Sequence, residues 1–199
     1  MKQLVSLALA LGLAAPAFAS GTPFVIDFEK SWDYGQAVDD SYAALGVSFT
    51  NVLGLSNGDG LGGLPDGAYY AGAPSPLGVG FVQLDGVQNT TAYMNVAGGV
   101  DGTLNFFYSS TADFEIKAYS GLNGTGDLLG TLTLSANTSD YTSWNAAAFS
   151  FSGSAHSFDL SGAANVAALD NISAVPEPAS ALLLLAGGAL LAATRRRRD

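Results

Sequence analysis

The chain has 199 residues with 25 glycines and no cysteine, which excludes disulfides, thiolate nucleophiles and cysteine-based metal sites. Its 17 acidic residues outnumber 7 basic ones, and Lys30 and Lys117 are the only cations between residues 20 and 175. This stretch has no basic patch for a phosphate backbone, which excludes nucleic-acid binding.

Residues 1–19 have the pattern of a secretory signal peptide. Lys2 supplies the positive start, residues 4–15 form an apolar run too short to cross a bilayer, and Ala17 and Ala19 satisfy the small-x-small cleavage rule. The sequence therefore predicts a signal helix that signal peptidase removes, with Ser20 as the mature start. Ala15 and Ala17 offer a second cleavage site.

Residues 20–174 predict one all-β domain. Phe24, Ile26 and Phe28 alternate with more polar positions, as in a half-buried strand. Similar short runs recur, separated by turn signals that include Gly98-Gly99, Asn123-Gly124 and Ser152-Gly153. This spacing predicts a jelly-roll-like antiparallel β-sandwich. The predicted strands are residues 22–29, 46–52, 79–84, 91–97, 102–108, 114–119, 128–134, 147–151, 156–160 and 166–172.

Residues 53–77 form the longest stretch without a strand pattern. Asn57-Gly58, Asp59-Gly60 and Asp66-Gly67 are turn signals, so the sequence predicts a long loop here. Loops of this length in compact domains are usually functional or poorly ordered.

Residues 175–199 contain three parts in a fixed order. Pro176-Glu177-Pro178 forms a stiff, extended element because proline fixes φ and restricts the preceding residue. The uncharged run 179–193 would make a helix of about 22 Å, which is short against a hydrocarbon core of about 30 Å. A basic cluster then follows, which the positive-inside rule keeps in the cytoplasm. Its members are Arg195, Arg196, Arg197 and Arg198.

This three-part tail resembles the PEP-CTERM sorting signal of Gram-negative bacteria. The resemblance implies that an exosortase, a membrane-embedded transpeptidase-like enzyme, cuts near Pro-Glu-Pro and passes the domain to the cell surface or to extracellular polymer. The domain would first be held on the periplasmic side of the inner membrane. The alternative is a plain C-terminal membrane anchor, although a helix this short and interrupted by Gly187-Gly188 makes a poor permanent one.

Two further segments resemble parts of PEP-CTERM exoproteins. AYSGLNGTGDLLGTLTL, residues 118–134, is similar to a recurrent pair of strands in them, and HSFDLSGAANVAALDNI, residues 156–172, is similar to their closing hairpin. Those exported domains are similar in turn to carbohydrate-binding-module-like jelly rolls. This resemblance concerns the fold more than the function.

Carboxylates near the two ends of the predicted domain suggest a structural Ca²⁺ site. Glu29 ends the first strand and Asp170 lies near the end of the last one, and these strands commonly lie close together in a jelly roll. The similar carbohydrate-binding modules hold Ca²⁺ there, which implies Glu29 and Asp170 as ligands and Asp27 as a weaker third. Ca²⁺ prefers such hard oxygen ligands. The alternative is that Asp27 and Glu29 are solvated edge residues and that Asp170 belongs to a turn.

Aromatic residues in the predicted loops offer a possible sugar-binding platform. Trp32, Tyr69, Tyr70 and Trp144 are the candidates, because aromatic faces stack on the C–H surfaces of sugars. Packing of these rings under loops would explain them equally well.

The sequence favours a domain without catalytic activity. His156 is the only histidine, so a Ser-His-Asp triad and a histidine-based zinc site are both disfavoured. We therefore expect an exported protein of the cell envelope or exopolysaccharide matrix, with a structural, adhesive or glycan-binding role. The alternative is an extracellular hydrolase that uses paired carboxylates on polysaccharide.

Overall fold

A computed structural model describes residues 23–33, 35–56, 70 and 72–174. These residues form nine β-strands, with short 3₁₀ turns at Ala43–Leu45, Leu122–Gly124 and Ser161–Ala163 and no α-helix within the described ranges. The strands are β1 Phe24–Ile26, β2 Val47–Thr50, β3 Val52–Ser56, β4 Gly78–Val82, β5 Tyr93–Ser110, β6 Phe114–Tyr119, β7 Leu128–Leu134, β8 Asn145–Asp159 and β9 Ala167–Ala174.

All pairings between these strands are antiparallel, and the order is β3-β4-β9-β5-β8-β6-β7. β1 lies beside β9 and β2 lies beside β5. The long strand β5 belongs to both halves of the sheet, because its start pairs with β2 and its end pairs with β9. The prediction of an all-β, antiparallel sandwich is confirmed at this level.

The core lies between the two halves of the bent sheet. Phe49 from β2 and Phe106 from β5 belong to the same buried cluster as Phe158 from β8. Phe28 packs edge-on against Tyr42, with ring centroids 5.9 Å apart. Period-2 alternation produces this arrangement, since every second side chain of each strand faces inward.

A second, smaller cluster covers the outer face of β3, β4 and β9. Its aromatic members meet closely, with the ring centroids of Phe81 and Tyr141 5.8 Å apart. This face is therefore closed by side chains from the loops that precede β4 and β8. The buried members are Leu55, Tyr70, Val79, Tyr141 and Ala168.

Two of the glycine-containing pairs that were predicted as turns lie inside strands. Gly98-Gly99 lies inside β5 and Ser152-Gly153 lies inside β8, so four predicted strands form two long ones. The pairing of β5 with β8 shifts register between Asn95 and Val100, which marks a β-bulge. Gly99 and Gly153 have φ values of 73° and 87°, so glycine here bends a strand without ending it.

The prediction for the second strand also differs from the structure. Residues 46–52 were predicted as one strand, but Asn51 adopts φ 55° and separates β2 from β3. β3 therefore occupies the start of the predicted long loop. Both terminal helices of the prediction lie outside the described residues. No helix within the described ranges is long and apolar enough to cross a membrane.

Candidate functional site

A gap along the edge of β9 is the centre of the candidate site. β1 pairs with β9 as far as Ile26 opposite Ile172, and β4 begins its pairing with Gly80 opposite Leu169. Asp170 and Asn171 occupy the intervening positions of β9. Asp170 is fully buried, with 0% of its surface exposed.

The chain just after β1 brings the Asp27 carbonyl oxygen and the Glu29 carboxylate to the loop beside this gap. Phe28 adopts φ 54°, which is unusual for a bulky residue, and its ring is fully buried in the main core. Asp27 is exposed and Glu29 is half-buried. Burial of Phe28 therefore fixes the backbone of Asp27 and Glu29 on either side of it.

Asp170 accepts three hydrogen bonds. The backbone N–H of Ser75 donates to Oδ2 at 2.7 Å, while the Ser75 hydroxyl and the Asn171 N–H reach Oδ1 at 2.6 and 2.7 Å. Burial raises the pKa of Asp170 to about 6, although these hydrogen bonds lower it, and the charge of Glu29 raises it further. The Asp170 carboxylate therefore accepts three hydrogen bonds, and all three donors are neutral.

The Ser75 hydroxyl has more acceptor oxygens around it than it has hydrogens. Its Oγ lies 2.8 Å from the Asp27 carbonyl oxygen, 2.6 Å from Asp170 Oδ1 and 3.2 Å from Asn171 Oδ1. A hydroxyl carries one hydrogen, so it can satisfy one of these oxygens. Rotation of the Asn171 amide would supply a donor for the third contact only. The other two oxygens would still share one hydrogen.

Glu29 fastens the same loop from the other side. Its Oε1 accepts hydrogen bonds from the backbone N–H groups of Leu77 at 2.7 Å and Gly78 at 3.3 Å.

Burial raises the pKa of Tyr42 well above its usual range, and the charges of Asp27, Asp170 and Glu29 add to the effect. The negative charges of all three predicted ligands therefore act on one buried neighbourhood.

The structure brings Glu29, Asp27 and Asp170 to one region, but not as a cluster of three close acidic side chains. Within the described part of the chain, no group of three or more His, Asp or Glu residues is placed to hold a metal ion. The oxygens that do come together lie around the Ser75 hydroxyl, and they belong to the side chains of Asp170 and Asn171 and to the Asp27 carbonyl. Such a mixed oxygen set has the chemistry that Ca²⁺ prefers.

Sequence reasoning missed Ser75 and Asn171. Ser75 is 5% exposed although it lies in a loop, and it contacts Asp170 across 95 positions of the chain. Pro74 and Pro76 on either side restrict the backbone there, and this was the available signal of a fixed loop. Asn171 adopts φ 46°, a conformation that Asn tolerates better than most residues.

Two of the four predicted platform residues are core residues. Trp32 is 5% exposed, its Nε1 donates to the Phe28 carbonyl oxygen at 2.9 Å, and its ring lies against Gly54 and Gly78. Tyr70 is 2% exposed and packs near Tyr141. Neither ring presents a face to solvent. Trp144 is half-buried against the second cluster, and Tyr69 lies outside the described residues.

Two shallow grooves open on the described surface. One of about 380 Å³ contains a single carboxylate, Asp40, together with Asn95 and Asn123 in its lining. The other, of about 230 Å³, is lined by uncharged residues that include Pro23, Leu45 and Val96. Hydrolysis of a glycosidic bond in the usual way needs two carboxylates across a cleft, and neither groove contains two.

Among solved structures, the likeness to known proteins is distant. The crystal structure of a glycoside hydrolase family 43 arabinoxylan arabinofuranohydrolase from Bacillus subtilis, in complex with cellotetraose, is similar over 63% of this chain with 16% identity and a TM-score of 0.41. The likeness covers 24% of that protein, so this chain spans about a quarter of its length. No curated protein matches the sequence.

The C-terminal segment gives a specific result. Residues 174–198 match the PEP-CTERM protein-sorting motif, in agreement with the order of Pro176-Glu177-Pro178, apolar run and arginine cluster. The signal cleavage site and the arginines themselves lie outside the described residues. The chain therefore carries a PEP-CTERM protein-sorting motif, which supports an exported protein that an exosortase processes.

Proposed function

We propose that this protein is delivered to the cell surface or to the exopolysaccharide matrix, where its β-sandwich is a non-catalytic structural, adhesive or glycan-binding part. The observation that carries this proposal is the sorting motif at residues 174–198. The motif begins at Ala174, the last residue of β9, so the sandwich is the part that is sorted. A jelly-roll arrangement of the sandwich belongs to the same proposal.

The proposed route has a membrane-bound stage. Arg195, Arg196, Arg197 and Arg198 stay in the cytoplasm while residues 179–193 lie in the inner membrane, and the domain is held in the periplasm. The short apolar run makes this stage transient, because it is about 8 Å shorter than the hydrocarbon core. Exosortase then cuts near Pro176-Glu177-Pro178, and the domain leaves the membrane.

The C-terminal residue of the mature protein tests this route. Mass spectrometry of the protein from its native host should find a chain that lacks the arginine cluster. Deletion of the exosortase gene from that host should restore the full-length tail. An intact chain ending in Asp199 in the membrane fraction of the normal host would show a plain anchor and contradict sorting.

We propose the absence of catalysis as part of the same function. The carboxylates described above hold a loop and a strand edge through hydrogen bonds. The alternative function is an extracellular hydrolase acting on polysaccharide. Incubation of the purified protein with a panel of polysaccharides, followed by detection of new reducing ends, separates the two. Release of oligosaccharides would support the hydrolase.

We propose Ca²⁺ as a structural cofactor at the β9 gap. Asp170, Ser75, Asn171 and the Asp27 carbonyl supply converging oxygens, and Glu29 adds negative charge beside them. Within the described residues, neither lysine forms an ion pair with these carboxylates. Lys30 bonds the Ser41 carbonyl oxygen at 2.8 Å, and Lys117 pairs with Glu115 at 2.6 Å. A divalent cation would connect β1, β9 and the Ser75 loop.

A further inference from the structure

The sorting motif begins inside the folded domain. Ala174 is both the last residue of β9 and the first residue of the matched motif. It is 6% exposed and pairs with Phe24 of β1 on one side and Leu104 of β5 on the other. No linker therefore separates the sandwich from the segment that the sorting enzyme must bind.

This lack of a linker places the enzyme close to the domain. Pro178 is four residues after Ala174, so even a fully extended chain carries it no farther than about 14 Å from the sheet. A folded domain of about 100 residues has a radius of gyration of about 13 Å. An enzyme that holds Pro176-Glu177-Pro178 in its active site must therefore meet the end of the sandwich at which Ala174 lies.

A groove lined by uncharged residues opens at this end. Pro23, which immediately precedes the partner of Ala174, forms one wall of the 230 Å³ groove, and Leu45 and Val96 form others. Leu45 is 42% exposed at the end of a 3₁₀ turn. The groove lining carries no charge, in a domain where residues 20–174 contain two lysines against 15 acidic residues.

We propose that this groove is a docking surface for the sorting enzyme, which contacts it while the enzyme holds Pro-Glu-Pro. The proposal rests on the proposed sorting function and adds a second contact outside the motif. Well-packed, water-excluded pockets near the centre of an interface commonly carry most of its binding energy, so a charge placed in such a pocket should weaken binding. The alternative is that the enzyme acts on the tail before β9 is in place, and the experiment below separates the two.

The test compares two exposed leucines in the native host. Leu45→Asp places a charge in the groove, and Leu128→Asp places the same charge on β7, where Leu128 is 55% exposed. Pulse-chase labelling measures how fast each variant loses the tail. We expect Leu45→Asp to slow the loss about fivefold or more and Leu128→Asp to leave it within twofold of normal. Equal rates for the two variants would overturn the docking surface.

A linker distinguishes docking from damage to the fold. A flexible linker of thirty residues, made of glycine and serine, is inserted between Ala174 and Val175. It gives the motif a reach of about 30 Å from the sandwich, so the enzyme can bind the motif without contacting the groove. In that background we expect Leu45→Asp and the parent to differ by less than twofold. A defect that persists with the linker would overturn docking. If every chain keeps its tail, including the unsubstituted one, the sorting proposal itself fails.

Discussion

Asp170 shows at the scale of one residue how the fold creates a demand for positive charge. Its carboxylate is fully buried, and the donors around it come from Ser75 and Asn171, which are both neutral. Neutral donors satisfy lone pairs but do not balance a buried charge. The raised pKa of Asp170, about 6, expresses this imbalance.

Calcium should therefore stabilise the protein through Asp170. Addition of 2 mM CaCl₂ to the EDTA-treated protein at pH 7.5 should raise its Tm by about 5 to 10 °C, the shift expected for a ligand near a hundred times its Kd. Asp170→Asn should abolish the shift. Differential scanning calorimetry measures both.

Asp127→Asn is the matched control for this experiment. Asp127 is exposed in the loop before β7, on another part of the surface, so its substitution should leave the calcium shift intact. MgCl₂ at the same concentration controls for ionic strength and should give a smaller shift, because Mg²⁺ demands a stricter geometry. An unchanged Tm of the unsubstituted protein with calcium removes the proposed site.

The close packing of a glycine against an aromatic ring gives a second prediction at this scale. A Cβ at Gly80 would lie 2.6 Å from the ring of Phe28, which is buried and cannot move aside. Gly80→Ala should destabilise the protein by about 1 to 3 kcal/mol through overpacking. Urea unfolding followed by tryptophan fluorescence measures the change in the free energy of unfolding.

Gly98→Ala is the control, because a Cβ there meets nothing within 4 Å and the residue is exposed. It should change the free energy of unfolding by no more than about 0.5 kcal/mol. Equal effects of the two substitutions would mean that β4 does not press against Phe28 as described.

At the scale of elements, the sequence pattern located strands better than it located their ends. Alternation in residues 114–119 and 128–134 predicted β6 and β7 with their observed bounds, since a turn signal at Asn123-Gly124 separates them. The same kind of signal at Gly98-Gly99 and Gly153 does not end a strand. Local sequence cannot distinguish a turn from a bulge, because both use glycine in the left-handed region and the partner strand decides between them.

The bulge in β8 provides a test at this scale. Gly153 has φ 87°, and a Cβ there would meet only Leu129 at an ordinary distance of 3.7 Å. Gly153→Ala should therefore cost about 1 to 2 kcal/mol of stability, from backbone strain and not from crowding. Gly153→Asn should cost less, because Asn tolerates positive φ better. Thermal unfolding of both variants gives the comparison, and an alanine variant as stable as the parent would show that the bulge relaxes.

At the scale of the whole molecule, the sequence predicts the C-terminal sorting motif and two residues of the candidate site. It does not predict how the strands bring the residues of that site together. Pro176-Glu177-Pro178 and the arginine cluster are contiguous, so their pattern is readable without a fold. Glu29 and Asp170 were predicted as partners from a resemblance, and the structure places their charges in one neighbourhood. Ser75 could not be predicted, since its contact with Asp170 depends on how β1, β4 and β9 align along one edge.

The charge of the whole domain also opposes its compact state. Residues 20–174 contain 15 acidic side chains and two lysines. The described residues form one ion pair, between Lys117 and Glu115, and both side chains are partly exposed, so it contributes little. Like charges on a compact domain repel one another more than on an extended chain, which destabilises the folded state.

Salt should therefore raise the stability of this protein. Between 10 mM and 100 mM NaCl the Debye length falls from about 30 Å to about 10 Å, so repulsion between distant carboxylates is largely screened. With EDTA present to exclude the calcium effect, the Tm should rise by several degrees. KCl should give the same rise as NaCl, because screening depends on ionic strength and not on the identity of the cation. A falling Tm would show that attraction outweighs repulsion across this surface despite its excess of acidic groups.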